Sequence, residues 1–299
     1  MEKDNIKWVY LILLSIIWGS SFILIKKALV GLTPLQVGSL RIVIAGVFLF
    51  IIGFNRIRKL TKYQWKWVAI AGFLGTFFPA FFFAFAQTEI DSAITSILNA
   101  TTPIMTLIFG AMFFAIGFSK RQLWGVLIGL AGCLLLIWQS ADINPNQNYW
   151  YVLFIFMATV GYAMNVNVIK TRLQELTPLG ISAGSFFVIM IPALIILIST
   201  GFFKAETLQA PGTLNAAGYI ALLAIFGTAL ALLVFNKLIQ ISTPVFSTSV
   251  TYTIPIVALL WGIIDGEQFS FMQLIGGGII LVGVVLANSK KRIRKTAPV

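Results

Sequence analysis

Residues 25–35 and 169–179 of this chain are near copies: Ile25, Lys26, Leu29, Leu32, Thr33, Pro34 and Leu35 recur 144 positions on as Ile169, Lys170, Leu173, Leu176, Thr177, Pro178 and Leu179. Further along the shift becomes 152, pairing Gly75-Thr76 with Gly227-Thr228, Pro103-Ile104 with Pro255-Ile256 and Gly110 with Gly262. A chain that repeats itself at this length is built from two copies of one unit.

The unit is apolar along its whole length. Stretches of about 17 to 25 residues, enough for a helix to cross roughly 30 Å of hydrocarbon, recur at about 8–26, 34–54, 65–86, 92–116, 122–138, 149–169, 178–200, 214–236, 242–264 and 269–287. The chain is 59% hydrophobic and 10% charged, with a mean hydropathy of +0.96, which excludes a water-soluble domain. The expected fold is therefore an all-α polytopic membrane protein of ten transmembrane helices. Its divisions are residues 1–138, residues 149–287 and a basic tail, 288–299. Five spans per copy is an odd number, so the two five-helix repeats should be inverted relative to each other. Inverted repeats let one site face two compartments in turn.

The net charge of +12 is a topology signal, not a nucleic-acid footprint. With the N terminus cytoplasmic, the inner segments hold Lys3, Lys7, Arg56, Arg58, Lys59, Lys62, Lys66, Lys120, Arg121, Lys170, Arg172, Lys237 and the Lys290–Lys295 cluster. The outer segments then hold only Lys26, Lys27 and Lys204, with Glu89, Asp91, Asp142, Glu206, Asp265 and Glu267. This Lys/Arg asymmetry places both termini in the cytoplasm. The tail reads as a topology determinant, with anionic lipid head groups as the alternative contact. Lone Cys133 has no partner for a disulfide and reads as packing.

Lipid offers no hydrogen-bond partners, so irregular or polar positions within spans should face protein or a wet cavity. Pro103 and Pro255 occupy equivalent places in the fourth and ninth spans and deprive Asn99 and Thr251 of an amide donor. Paired interruptions of this kind point to a transporter's midplane site. Around them polar residues recur at helical spacing: Thr95, Asn99, Thr102 and Thr106 on the fourth span, Ser247 and Thr251 on the ninth, with Tyr252 beside them. Ser15, Trp18 and Ser21 of the first span match Thr159, Tyr162 and Asn165 of the sixth. A single hydroxyl bonded to the preceding turn or to a neighbouring helix contributes about 0.6 kcal/mol and implies no function. Asn99, Asn165 and Tyr162 need more partners than such a bond supplies. Trp18 fits cavity lining and helix packing equally well.

Arg41 is the one basic residue well inside a span. Its burial in lipid would cost about 2.5 to 3.5 kcal/mol, so it should snorkel or face the bundle. It reads first as a structural anchor and second as a contact for an anionic group. Its counterpart in the other copy is Ser185. The glycines Gly125, Gly129 and Gly132, and Gly276, Gly277, Gly278 and Gly283, read as close-packing surfaces. Trp8, Tyr10, Tyr63, Trp65, Trp67, Tyr149, Trp150 and Tyr151 read as an interfacial belt.

Trp18-Gly19-Ser20-Ser21-Phe22, Lys26-Lys27-Ala28-Leu29 and Leu40-Arg41 before Ala45-Gly46 resemble the first two helices of an EamA domain, of the drug/metabolite transporter superfamily. Gly227-Thr228-Ala229-Leu230, the Pro255 helix, Gly266-Glu267 and Gln273-Leu274-Ile275-Gly276 through Gly283 resemble that domain's third to fifth helices. The resemblance implies ten helices around a central cavity formed mainly by the first, third, fourth, sixth, eighth and ninth, and frequent export of amino acids or other metabolites. Glu267 has only Ile116 as its counterpart, so it is expected to be a capping or loop feature. Single-domain relatives carry protons on a buried Glu in the first helix, and no span here has an acid near its centre.

The expected function is a secondary transporter or facilitator that exports a small polar or amphipathic, amino-acid-like metabolite by alternating access across a bacterial cytoplasmic (inner) membrane. Trp18, Ser21, Arg41, Thr95, Asn99, Thr102, Tyr162, Asn165, Ser247, Thr251 and Tyr252 are its candidate cavity residues, with helix breaks at Pro103 and Pro255. Alternatives are multidrug efflux and a non-transporting sensor or assembly factor. An intramembrane enzyme would need positioned acids, bases or nucleophiles, and the chain has no histidine, one cysteine and no acidic pair in a span. No cofactor, metal or nucleic acid is expected; the partners are a small solute, the bilayer and a proton or solute gradient.

Overall fold

A computed structural model describes residues 3–114, 120–143, 147–268 and 270–288. Ile116, the side chain of Cys133 and the tail from residue 289 lie outside the described residues. Within them the chain is helical: α1 (Lys3–Ala28), α2 (Pro34–Ile57), α3 (Lys62–Ala86), α4 (Ser92–Phe114), α5 (Lys120–Ile143), α6 (Tyr149–Arg172), α7 (Pro178–Ser199), α8 (Thr213–Ile241), α9 (Phe246–Ile264) and α10 (Phe271–Asn288). Eight of these, all but α5 and α10, are long and apolar enough by composition to cross a membrane. Their outward faces are apolar as well: Ile51, Ile195 and Leu214 are 71%, 62% and 82% exposed. Such a surface is stable against lipid and not against water. The protein is a multi-pass membrane protein.

The repeated Leu-Thr-Pro-Leu segment is a helix start. Thr33 and Thr177 accept hydrogen bonds from the amides of Gln36 and Gly180, and Pro34 and Pro178 stand in the first turn, where no amide is needed. Gln36 completes a capping box by accepting from the Thr33 amide at 3.0 Å.

Packing follows the repeat. α2 lies along α7, and α5 along α10; α1 packs on α8 and α9, as α6 packs on α3 and α4. Exchanging the two halves exchanges these pairs. The glycines set the α5–α10 distance: a Cβ on Gly283 would stand 2.4 Å from the Gly129 nitrogen, and one on Gly132 would stand 2.7 Å from the Ile280 nitrogen. Only glycine permits so close a backbone approach.

Four inner helices are irregular at matched places. α3 contains a π-turn at Phe73–Phe77 and α8 one at Leu223–Leu230, each carrying a Gly-Thr pair. α4 breaks at Ala100 and Thr101, one turn before Pro103. α9 runs as a 3-10 segment over Ser249–Tyr252 and resumes α geometry at Ile254, just before Pro255.

Candidate functional site

The irregular turns surround a cavity between the two halves. Its polar wall carries Trp18 and Ser21 from α1, Arg41 from α2, Thr76 from α3, Asn99 and Thr102 from α4, Tyr162 and Asn165 from α6, Thr228 from α8, and Thr248 and Thr251 from α9. Phe22, Phe83, Phe235 and Ile254 line much of the remainder.

Each π-turn is built into the wall through its glycine. The Trp18 indole Nε1 donates to the Gly227 carbonyl at 2.9 Å, and the ring packs edge-on against Phe235 with centroids 4.9 Å apart. Trp18 thus both lines the cavity and joins α1 to α8. A Cβ on Gly227 would stand 2.9 Å from Ser21 Oγ. The second half repeats the arrangement: a Cβ on Gly75 would stand 2.2 Å from Asn165 Nδ2, and Tyr162 stacks on Phe83 at 5.8 Å. Arg41 Nε donates to Thr228 Oγ1 at 2.7 Å, and that hydroxyl donates to the Leu223 carbonyl at 3.0 Å.

The break before Pro103 is satisfied locally, since Thr102 Oγ1 donates to the Asn99 carbonyl at 2.7 Å. The same hydroxyl lies 3.3 Å from Asn99 Oδ1. Thr251 Oγ1 donates to the Thr248 carbonyl at 2.8 Å.

Thr95, Ser247 and Tyr252 are not on this wall. Thr95 is fully buried near the start of α4, and its hydroxyl has no partner. Ser247 Oγ is held at the turn into α9, donating to the Thr243 carbonyl at 3.1 Å and paired with Ser242 Oγ at 2.9 Å. The 3-10 segment winds 120° per residue where a regular helix winds 100°. It therefore changes the phase between Ser247, which precedes it, and the residues that follow. Tyr252 packs against the apolar core. Conversely, Thr76, Thr228 and Thr248 are on the wall although they were not among the sequence candidates. The Gly-Thr pair recurring inside two apolar spans was the available signal for the first two.

A second space of about 250 Å³ shares Thr76, Asn165 and Leu232 with the first and reaches Ser182, Ser185 and Asn236. Asn236 Nδ2 donates to Ser182 Oγ at 2.8 Å.

Both bundle ends are tied by equivalent lysines. Lys26 Nζ lies 2.8 Å from Glu267 Oε1 and 2.8 Å from Asp265 Oδ2, and Lys27 also pairs with Asp265. Glu267 accepts from Ser92 N (3.2 Å), Ser92 Oγ (2.6 Å) and Ala93 N (3.3 Å). It caps α4 from the segment that follows α9, because Asp91, the residue placed for that task, makes no cap bond. Gly266, at φ +82°, turns the chain so that Glu267 N bonds the Gly262 carbonyl at 2.9 Å and the carboxylate folds back. At the other end Lys170 Nζ donates to the carbonyls of Ile239 (3.1 Å), Gln240 (3.4 Å) and Ser242 (2.7 Å) where α8 finishes. Burial, the Glu267 charge and a smaller opposing effect of Lys26 leave the Asp91 carboxyl above its ordinary pKa. Burial also pushes Asp265 upward, but hydrogen bonds from Lys26 and Lys27 outweigh it and leave the group below its ordinary value. Among the described residues no three His, Cys, Asp or Glu side chains converge as a metal site would require.

The model of the EamA-like transporter family matches this chain twice, over residues 6–138 and 149–289. The chain is 29% identical over 291 residues to an Escherichia coli K12 protein named uncharacterized inner membrane transporter YedA, covering 96% of this chain and 92% of that one. It is 24% identical to an uncharacterized transporter of Archaeoglobus fulgidus, covering 95% and 99%, and 25% identical to uncharacterized transporter YwfM of Bacillus subtilis, covering 99% and 98%. A solved crystal structure at 16% identity matches with a TM-score of 0.64 over 96% of each chain, a likeness of fold alone. With its matched halves and the cavity they enclose, this membrane transporter belongs to the EamA-like transporter family.

Proposed function

We propose that the protein is a secondary transporter or facilitator that moves a small polar or amphipathic, amino-acid-like metabolite outward across the bacterial inner membrane by alternating access. The observation that carries this reading is the cavity walled by equivalent polar residues of both halves, Trp18 and Ser21 with Tyr162 and Asn165, each set against a π-turn. In the proposed topology α5 and α10 complete ten spans, residues 1–138 and 149–287 are inverted five-helix repeats, and both termini and the 288–299 tail are cytoplasmic. The positive-inside distribution supports that orientation. The inner-membrane assignment rests on the name of the Escherichia coli relative. Trp18, Asn99, Tyr162, Asn165 and Thr251 would form the solute path.

Counterflow of amino acids in proteoliposomes tests the reading, with proton and solute gradients imposed in turn to find the coupling. Saturable flux that falls at least tenfold in Asn99→Leu is expected; absence of flux for every amino acid and related metabolite would sink it. The aromatic share of the wall, Phe22, Phe83 and Phe235, favours multidrug efflux as a second reading. Export of bulky cationic dyes with no amino-acid flux would select it.

A further inference from the structure

One residue lining the cavity is charged, and the other half does not repeat it. Residue 41 is arginine and its counterpart, residue 185, is serine. Ser185 Oγ donates to the Val68 carbonyl at 2.8 Å, so its donor is taken up by helix packing. Arg41 uses only Nε, at 2.7 Å from Thr228 Oγ1. Thr228 directs its own proton to the Leu223 carbonyl and so presents a lone pair to Arg41. Among the described residues no carboxylate pairs with Arg41, and its terminal N–H groups make no hydrogen bond. A guanidinium held at Nε leaves its outer fork available for a two-point contact with an anion. On the wall formed by the other half, Asn165 is 7% exposed and its Oδ1 is buried without a donor. The cavity therefore has one fixed cation and, separately, one unfilled acceptor, with phenylalanine rings among its remaining surface.

We propose that Arg41, set by Thr228, is the seat for a single carboxylate of the transported solute, and that Asn165 Oδ1 receives a hydrogen-bond donor of the same molecule. The proposal rests on the reading of this cavity as the transport site. One guanidinium balances one negative charge, so monocarboxylates fit and dianions do not: a second negative charge would be left in a low-dielectric wall without a partner. The apolar side chain of the solute lies against Phe22, Phe83 and Phe235.

Four probes of similar shape separate the contributions: L-leucine, 4-methylpentanoate, L-leucinamide and isopentylamine. Titration calorimetry on the detergent-solubilised full chain should rank L-leucine first and 4-methylpentanoate second, with the amide and the amine at least tenfold weaker. Arg41→Gln should lower affinity for the two carboxylates at least tenfold and leave the amide and amine unchanged. Arg41→Lys should recover part of the loss, and Thr228→Val should weaken carboxylates severalfold while keeping their preference. Should Arg41→Gln fail to fold, the wild-type ranking and Thr228→Val still decide. Binding of none of the four, equal binding of all four, or unchanged carboxylate affinity in the variants overturns the seat. Liposome flux of amide and amine equal to that of the acids overturns it while leaving transport intact. Carboxylate binding with no flux of any solute instead overturns the transport reading and leaves the seat.

Discussion

Gly75 and Gly227 show how much of the site depends on a missing methyl group. A Cβ at Gly75 would meet Asn165 Nδ2 at 2.2 Å and Cγ at 2.4 Å, so the whole amide must move; at Gly227 the contacts are Leu223 Cδ1 and Ser21 Oγ, both at 2.9 Å. Gly75→Ala should therefore cost about 1–3 kcal/mol and more flux than Gly227→Ala. Adding Asn165→Ala should return most of the stability and none of the flux, a double-mutant cycle read by thermal unfolding and transport. Trp18→Phe keeps the ring contact with Phe235 and leaves the Gly227 carbonyl without its donor. A loss of about 0.5–1.5 kcal/mol is expected, with a larger effect on solute affinity than on folding. Arg41 shows why residue type alone decides little: the same side chain could anchor or bind, and its unpaired fork is visible only with Thr228 in place.

Helix starts and helix seams carry the next set of expectations. Thr33→Ala removes a capping box and should cost about 1 kcal/mol, measured as a lowered unfolding midpoint in a mild detergent. Thr177→Ala should cost less, because residue 180 is a glycine and cannot return the second bond of the box. At the α5–α10 seam a side chain on Gly283 has nowhere to go but into backbone, 2.4 Å from the Gly129 nitrogen and 2.6 Å from the Gly125 carbonyl oxygen. Gly283→Val should separate the two helices and lower the unfolding midpoint, whereas Gly278→Val, with open space around it, should not.

The whole bundle is tied at opposite chain positions by one repeated lysine that found different partners. Lys26 holds two carboxylates and, through Glu267, the start of α4; Lys170 holds the last carbonyls of α8. Disconnecting Glu267 frees three helices at once, so Glu267→Gln should destabilise the protein more than loss of any exposed ion pair, which is worth about 0–1 kcal/mol. The pH dependence has a definite sign. Asp265 lies below its ordinary value of 3.8 in the folded protein, so its stabilisation is present above 3.8 and lost as pH falls through the lowered value. Asp91 lies above 3.8, so its contribution is present below 3.8 and lost as pH rises through the raised value. The two oppose each other. Wild type should therefore lose stability below pH 3.8 more steeply than Asp265→Asn, and Asp91→Asn should gain stability at neutral pH, both followed by unfolding midpoint against pH.

The sequence by itself determined that this chain is two copies of an apolar helical unit, where its long helices lie to within about five residues at each end, and which helices carry polar faces. These are local or periodic properties: span length against bilayer thickness, a Thr-Pro start, a proline that removes an amide. It also pointed to Trp18, Asn99, Tyr162, Asn165 and Thr251 as one group, because polar side chains in lipid must face inward. Only the tertiary structure decided that Thr95, Ser247 and Tyr252 stand off the cavity wall and that Thr76, Thr228 and Thr248 stand on it. Sequence spacing gives positions around a regular helix; which of them meet the cavity depends on how the other helices pack, and a 3-10 segment or π-turn re-phases the residues beyond it. Likewise Glu267 read as a capping or loop feature, and it is a cap; that the helix it caps is α4, a contact between residues 175 positions apart, no local pattern encodes.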